Sequence, residues 1–187
     1  MTRVHIIGSG LIGASVGMAL RAKGLDVSLE DLSPTSAALA RDLGAGDLLG
    51  QRQDAAAVDL VGVATPPDVT SNIVVATLQA YPHAVVTDVA SVKQIIVDEV
   101  GERGGDLSRF VGGHPMAGRE RSGAIAARKD LFEGRTWVLT PTEQTTQESL
   151  ALVRSTAELT GAAVVVLEAA EHDAAVAAVS HVPQIAA

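Results

Sequence analysis

The run Gly8-Ser9-Gly10-Leu11-Ile12-Gly13 sets three glycines at G-x-G-x-x-G spacing, between a β-like run at 4–7 and a helix-like run at 11–23. At such a turn the first glycine permits the tight bend, the second admits a pyrophosphate against the backbone, and the third lets helix and strand pack closely. The phosphate charge then meets the helix N-terminus. Gly17, one turn on, extends the close packing. A chance cluster of glycines is the competing reading, and the flanking strand and helix weigh against it. Asp31 ends a second β-like run, 27–31, about 20 residues beyond the loop. A carboxylate there accepts hydrogen bonds from the adenosine ribose hydroxyls and repels a 2′-phosphate, so the pattern points to NAD rather than NADP. Glu30 takes that role if the strand end is shifted by one, and a solvated acid in the turn before Ser33-Pro34 is the bland alternative.

His114 stands in Gly112-Gly113-His114-Pro115-Met116-Ala117-Gly118, which reads as a glycine-rich loop with Pro115 restricting the backbone of the histidine. Beside a nicotinamide, a histidine can accept the proton of a hydroxyl whose carbon loses hydride, its ordinary pKa of about 6.5 suiting neutral conditions. A histidine bonded structurally inside the loop is an equal reading of the same residues. Ser91, beyond a strand ending at Asp88, is a candidate to orient that histidine or the reacting hydroxyl, against the commoner fate of a serine as a cap or turn residue. His5 and His83 are expected to be structural. His172 and His181 are too far apart for a two-histidine helical metal motif, and no metal is expected.

The elements that must position these residues alternate in short Val/Ile/Leu runs and longer Ala-rich helices, the pattern of βαβ units around a parallel sheet covered on both faces. Strands are expected at 4–7, 27–31, 60–64 and 84–88, with helices at 11–23, 34–43, after Pro66-Pro67, and at 92–100. The fold class is therefore α/β, a Rossmann-type doubly wound and mostly parallel sheet. Its loops at Gly8, Asp31, Thr65 and Asp88 should converge on one crevice at the strand ends. From Phe110 the order is a short strand, the glycine-rich loop, a strand at 136–140, a helix opened by a capping box of Thr145 and Glu148, and a strand at 163–167. The helical run after Glu168 continues to Ala187 without a stop signal. Residues 1–168 thus form one domain, and 169–187 are expected to be the first helix of a second, all-helical domain that is cut short.

Composition narrows the function classes. Apolar residues make up 47% and charged residues 19%, enough for a packed core. Aromatics at 2% leave few platforms for stacking bases, and 14 basic against 22 acidic side chains give a net charge of -8, the wrong sign for a polyanion. No nucleic-acid partner is expected. No apolar stretch approaches the roughly 18 residues of a membrane span. With no signal-peptide core at the N-terminus and no cysteine, a cytoplasmic protein is expected.

Taken together these segments resemble the prephenate dehydrogenase family, which includes arogenate and cyclohexadienyl dehydrogenases. The resemblance spans nearly the whole chain in family order. It runs from Gly8–Gly17 and Asp31 through Ala64-Thr65-Pro66-Pro67, Asp88-Val89-Ala90-Ser91-Val92-Lys93 and Gly113-His114-Pro115-Met116-Ala117-Gly118 to Glu171-His172-Asp173 and Ser180-His181-Val182-Pro183. The glycine motif is widely shared; the His-Pro and Ser-Val-Lys segments are more specific. The resemblance implies NAD-dependent oxidative decarboxylation of prephenate to 4-hydroxyphenylpyruvate, on the route to tyrosine. NAD would lie on Gly8, Gly10, Leu11, Ile12, Gly13, Asp31, Ala64, Thr65 and Pro66. His114 would take the ring hydroxyl proton, Ser91 would bond the hydroxyl or His114, and His181 would line the substrate site. It also implies a homodimer through the helical domain, which supplies an arginine for the substrate carboxylate. Arg119 and Gln184 depart from residues common in the family, a small hydroxyl residue and a second histidine. Arogenate as substrate, a non-catalytic NAD-binding regulatory module, and a β-hydroxyacid dehydrogenase with a lysine on a later helix are the other readings of the same motifs.

Overall fold

A computed structural model describes residues 2–48, 57–117 and 123–181. Strand β1 (Arg3–Ile7) runs into the glycine loop, helix α1 (Leu11–Ala22) leaves it, and β2 (Asp26–Glu30) returns parallel to β1. Helix α2 (Pro34–Asp42) starts on Ser33, whose hydroxyl accepts from the Ser36 N–H, and carries proline in its first turn, where no backbone donor is needed. A two-residue strand, β3 (Asp47–Leu48), extends this edge; it is too short to leave a periodic signal in the sequence.

The chain then crosses to the other side of β1. There β4 (Leu60–Val63), α3 (Pro67–Ala80), β5 (Val85–Asp88), α4 (Gln94–Glu102) and β6 (Phe110–Pro115) continue the parallel sheet. Strand β7 (Thr136–Thr140) pairs antiparallel with β6, and after α5 (Gln147–Leu159) strand β8 (Ala163–Val166) pairs parallel with β7. Helix α6 (Ala169–His181) packs on α4 and β7. The order β3-β2-β1-β4-β5-β6-β7-β8 makes this the doubly wound, mostly parallel sheet expected from the sequence. Strand β1 is where successive crossovers diverge, so a crevice opens beyond the ends of β1 and β4.

Period-two alternation divides the core between the two faces. Val4, Ile6 and Leu60 face Ala14, Leu20, Val153 and Ala157 on one side, while Val61, Val63 and Val86 face Val74, Leu78, Ile96 and Val100 on the other. His5 falls on the second face. It is fully buried, bonded at Nδ1 to Ser28 Oγ (2.9 Å) and stacked on Tyr81, a structural role as expected.

Three local expectations change. His114 lies in strand β6, not in a loop, because Gly112 and Gly113 are demanded by contacts rather than by a turn: a Cβ on Gly113 would stand 2.6 Å from the Asp88 carbonyl oxygen and 3.1 Å from the Trp137 indole nitrogen. Helix α4 begins at Gln94, two residues later than expected, because the Asp173 carboxylate accepts from the N–H groups of Lys93 and Gln94 (both 2.9 Å) and caps it there. Helix α5 is capped by Thr146, whose hydroxyl accepts from Ser149 N–H, and not by a Thr145–Glu148 box. Thr145 is drawn into the preceding turn, accepting from Thr142 N–H and donating to the Phe110 carbonyl.

Candidate active site

The loops at the strand ends enclose one long cleft of about 1840 Å³, lined by Gly8, Gly10, Leu11, Ile12, Asp31, Ala64, Thr65 and Pro66 toward one end and by Ser91, His114, Met116 and Val176 toward the other. A single small-molecule pocket occupies roughly 300–1,000 Å³, so this cleft has room for an extended ligand with a second molecule beside it. No helix among the described residues is long and apolar enough to cross a membrane. Among the same residues no cluster of three histidines or carboxylates stands ready for a metal ion.

Each glycine of the loop has its own local cause. Gly8 takes φ +97°, and a side chain there would also run into the Ala64 carbonyl. Gly13 is buried behind the loop against the Gly8 carbonyl and does not line the cleft; its contribution is to let α1 approach β1. At Gly10, the N-cap of α1, an added Cβ would meet nothing within 4 Å, so the missing side chain leaves a cradle open to the cleft. No acidic residue occupies the first turn of α1. An open glycine cradle, undersatisfied N–H groups and a helix N-terminus without its own anion are the features a pyrophosphate requires.

Strand β2 ends at Glu30, and Asp31 is the first residue beyond it. Asp31 Oδ2 accepts from the backbone N–H (2.7 Å) and hydroxyl (2.8 Å) of Ser9, and Oδ1 from Ser33 N–H (2.8 Å). The carboxylate thus staples the glycine loop to the β2 end, a second duty that motif spacing does not reveal. Three donors use three of about four lone-pair sites, leaving one acceptor position at the cleft wall. Burial pushes the Asp31 carboxyl up, but the Ser9 and Ser33 donors outweigh it and hold the group below its ordinary value. Glu30 is half-exposed and its carboxylate reaches His5 Nε2 at 3.4 Å.

His114 is buried, 7% exposed, where β6 meets the cleft. Its Nδ1 lies 2.8 Å from Nε2 of His172, which is buried in the first turns of α6, and the rings meet edge to face. His172 Nδ1 in turn lies 2.8 Å from Asp173 Oδ1. The residue before His114 is clamped by a fully buried ion pair. Asp88 accepts from Gly113 N–H (3.2 Å) and from the Lys93 ammonium, and Lys93 also donates to the Gly113 carbonyl (2.8 Å). Burial pushes the Lys93 ammonium below its ordinary value, with Asp88 opposing.

Ser91 lines the same cleft, while the bond at His114 Nδ1 comes from His172, a residue set aside at the sequence level because its spacing suited no metal motif. The side chain of His181 and residues 182–187 lie outside the described residues, as do the departures at Arg119 and Gln184. The signal that was present for His172 is its adjacency to Asp173, an acid-histidine pair.

Residues 16–166 match the family model described as prephenate dehydrogenase, nucleotide-binding domain. The chain belongs to the prephenate dehydrogenase family. It is 41% identical over 186 residues to the probable prephenate dehydrogenase NovF of Streptomyces niveus, a match covering 100% of this chain and 51% of NovF. Among solved structures it resembles the arogenate dehydrogenase of Synechocystis (TM-score 0.86, 32% identity, 97% of this chain and 65% of that one). It also resembles the prephenate dehydrogenase of Aquifex aeolicus in complex with hydroxyphenyl propionate and NAD+ (TM-score 0.85, 33% identity, 98% of this chain and 65% of that one). The chain spans about half the length of curated relatives such as NovF.

The acids of this nucleotide-binding domain make a testable pH signature. Asp173, like Asp31, is raised by burial but lowered more by its donors, Gln94 N–H first, then His172 and Lys93 N–H. Both carboxyls therefore titrate lower when folded than when unfolded. The stability they contribute is complete above the ordinary carboxylate value and lost as pH falls through the folded value. Urea unfolding at a series of pH values is expected to show stability dropping below about pH 4. Asp173→Asn should flatten part of that slope, and an unchanged slope would remove Asp173 from the ledger.

Proposed function

We propose that this chain binds NAD along the cleft and serves the oxidative decarboxylation of prephenate to 4-hydroxyphenylpyruvate. The observation that carries the reading is the meeting, in one cleft, of an open glycine cradle and a buried histidine of the family's His-Pro segment. The N–H groups around Gly10 and the N-terminus of α1 hold the pyrophosphate, with Leu11 and Ile12 in the same turn, and Gly13 packs behind them. Asp31 holds the adenosine ribose, and Ala64, Thr65 and Pro66 wall the opposite side. Bound there, NAD would supply the hydride acceptor. His114 accepts the ring hydroxyl proton as that hydride leaves, and aromatisation of the ring drives loss of its carboxylate as CO2. Ser91 hydrogen-bonds the hydroxyl or His114, and His181 lines the substrate side.

Residues 169–187 are assigned to the first helix of a helical domain that dimerises and completes the substrate site. In support, Ala174, Ala175, Ala177 and Ala178 of α6 stand exposed, and curated relatives extend to about twice the length of this chain. A homodimer working in the cytoplasm is the corresponding assembly. The test is prephenate-dependent NADH formation by the whole protein, with arogenate offered in parallel. Turnover of arogenate alone would move the substrate assignment, and turnover of neither would end it.

Cofactor choice is a separate prediction. A carboxylate at the ribose repels a 2′-phosphate, so calorimetric titration of this chain is expected to give NAD at least about tenfold tighter than NADP, equivalent to about 1.4 kcal/mol. Equal affinities would take Asp31 out of this role.

A further inference from the structure

The proton at the active histidine has two seats, and which is filled decides whether the ring can act as a base. In the chain of side chains from α6 to β6, Asp173 Oδ1 lies 2.8 Å from His172 Nδ1 and His172 Nε2 lies 2.8 Å from His114 Nδ1. A carboxylate is acceptor only, so His172 Nδ1 carries the hydrogen and donates it to Asp173. With His172 in its neutral form the lone pair is on Nε2, and His114 Nδ1, 2.8 Å away, supplies the N–H that satisfies it. His114 is thereby protonated at Nδ1, and its lone pair sits on Nε2.

We infer that His172, seated by Asp173, is a positioning residue that fixes the Nδ1-protonated tautomer of His114 and so reserves Nε2 as the basic nitrogen. The inference rests on the proposed reaction only for the identity of the proton donor, the substrate hydroxyl. When that proton arrives on Nε2, His114 becomes an imidazolium whose Nδ1–H remains bonded to His172, and the ionised Asp173 at the far end of the chain favours the added positive charge. Free imidazole side chains prefer the opposite tautomer, so the arrangement is imposed by the fold.

Two features fix the geometry independently of the histidines. Asp173 is locked by the Lys93 and Gln94 N–H groups at the start of α4, so its carboxylate cannot swing away from His172. His114 is locked from β5 by the neutralised Asp88–Lys93 pair gripping Gly113, and across the antiparallel ladder its partner on β7 is the apolar Val138. Asp88 and Lys93 thus flank His114 on one side, and His172 with Asp173 on the other.

The experiment is nitrogen NMR of the chain with 15N-labelled histidine at mildly alkaline pH, with His114→Asn used to assign one of the five histidines. His114 and His172 are both expected to show a protonated Nδ1 and an unprotonated Nε2. A wild-type spectrum with His114 protonated at Nε2 overturns the inference without any variant. His172→Leu, which removes the acceptor, is expected to return His114 to the Nε2-protonated form, whereas His172→Gln, whose side-chain oxygen still accepts, holds the Nδ1 form. An unchanged tautomer in His172→Leu also overturns it. In the whole protein the same pair should separate in kcat, the leucine variant falling at least tenfold and the glutamine variant recovering part of that, with NAD affinity level. The expected tautomers without prephenate or arogenate turnover would leave this inference standing and end the proposed function; turnover with the wrong tautomer would do the reverse.

Discussion

In the whole protein, exchange of His114 for asparagine is expected to lower kcat for prephenate by about 10²–10⁴-fold, the usual worth of general-base assistance, while NAD affinity stays nearly level. The choice of residue matters because His114 is buried in a strand. Alanine would leave a hole and an unsatisfied nitrogen on His172, and a fall in rate would then be ascribable to disorder. Asparagine keeps a donor for His172 Nε2 and approximates the ring's reach, so β6 retains its anchor while the group that can take a proton at neutral pH is gone. The loops proposed to hold the cofactor follow β1, β2 and β4, away from this substitution. Measured kcat, NAD affinity and melting temperature together make the case: a large fall in kcat alone supports the base, a parallel fall in all three indicates a structural role, and near-normal kcat removes His114 from the chemistry.

The features visible in the sequence were those with local causes. Gly13 answers to the Gly8 carbonyl within the same βα turn, Asp31 follows its strand at a fixed offset, and Val/Ile alternation follows from the pleat. What stayed hidden was set across long stretches of chain. His172 meets His114 over 58 residues, and no periodicity on α6 announces a contact made to another strand. His114 read as a loop residue because glycines and a proline surround it, yet the atoms that forbid a side chain at Gly113 belong to Asp88 and Trp137. The start of α4 departs from the sequence expectation for the same reason, its cap being a carboxylate 80 residues away. At α5 the expected cap, Thr145, is drawn away by a tertiary bond to the Phe110 carbonyl, and Thr146 caps the helix instead.

Lys93 unites these hidden contacts, and its replacement by methionine is expected to have a large effect on stability. Its ammonium and the Asp88 carboxylate are both 0% exposed. Methionine fills the space of the lysine stem but leaves Asp88 buried with no counter-charge, a change that typically costs about 3–5 kcal/mol, against a total of roughly 5–15 kcal/mol for a domain. In urea the midpoint should fall sharply with the slope unchanged, since the same surface is exposed on unfolding. The double variant Asp88→Leu with Lys93→Met removes both charges and is expected to recover most of the loss, because well-packed apolar residues commonly replace a buried pair at little cost. Function should not recover with it. The pair grips both the N–H and the carbonyl of Gly113, the residue before His114, while the Lys93 backbone helps hold Asp173 and through it His172. With the grip on Gly113 gone, His114 loses its anchor from the β5 side, so the double variant should bind NAD, unfold near the wild-type midpoint and turn over poorly. A double variant as active as the wild type would show that packing alone sets His114, and a single variant losing under about 1 kcal/mol would mean that Asp88 finds another partner or a proton when Lys93 is gone.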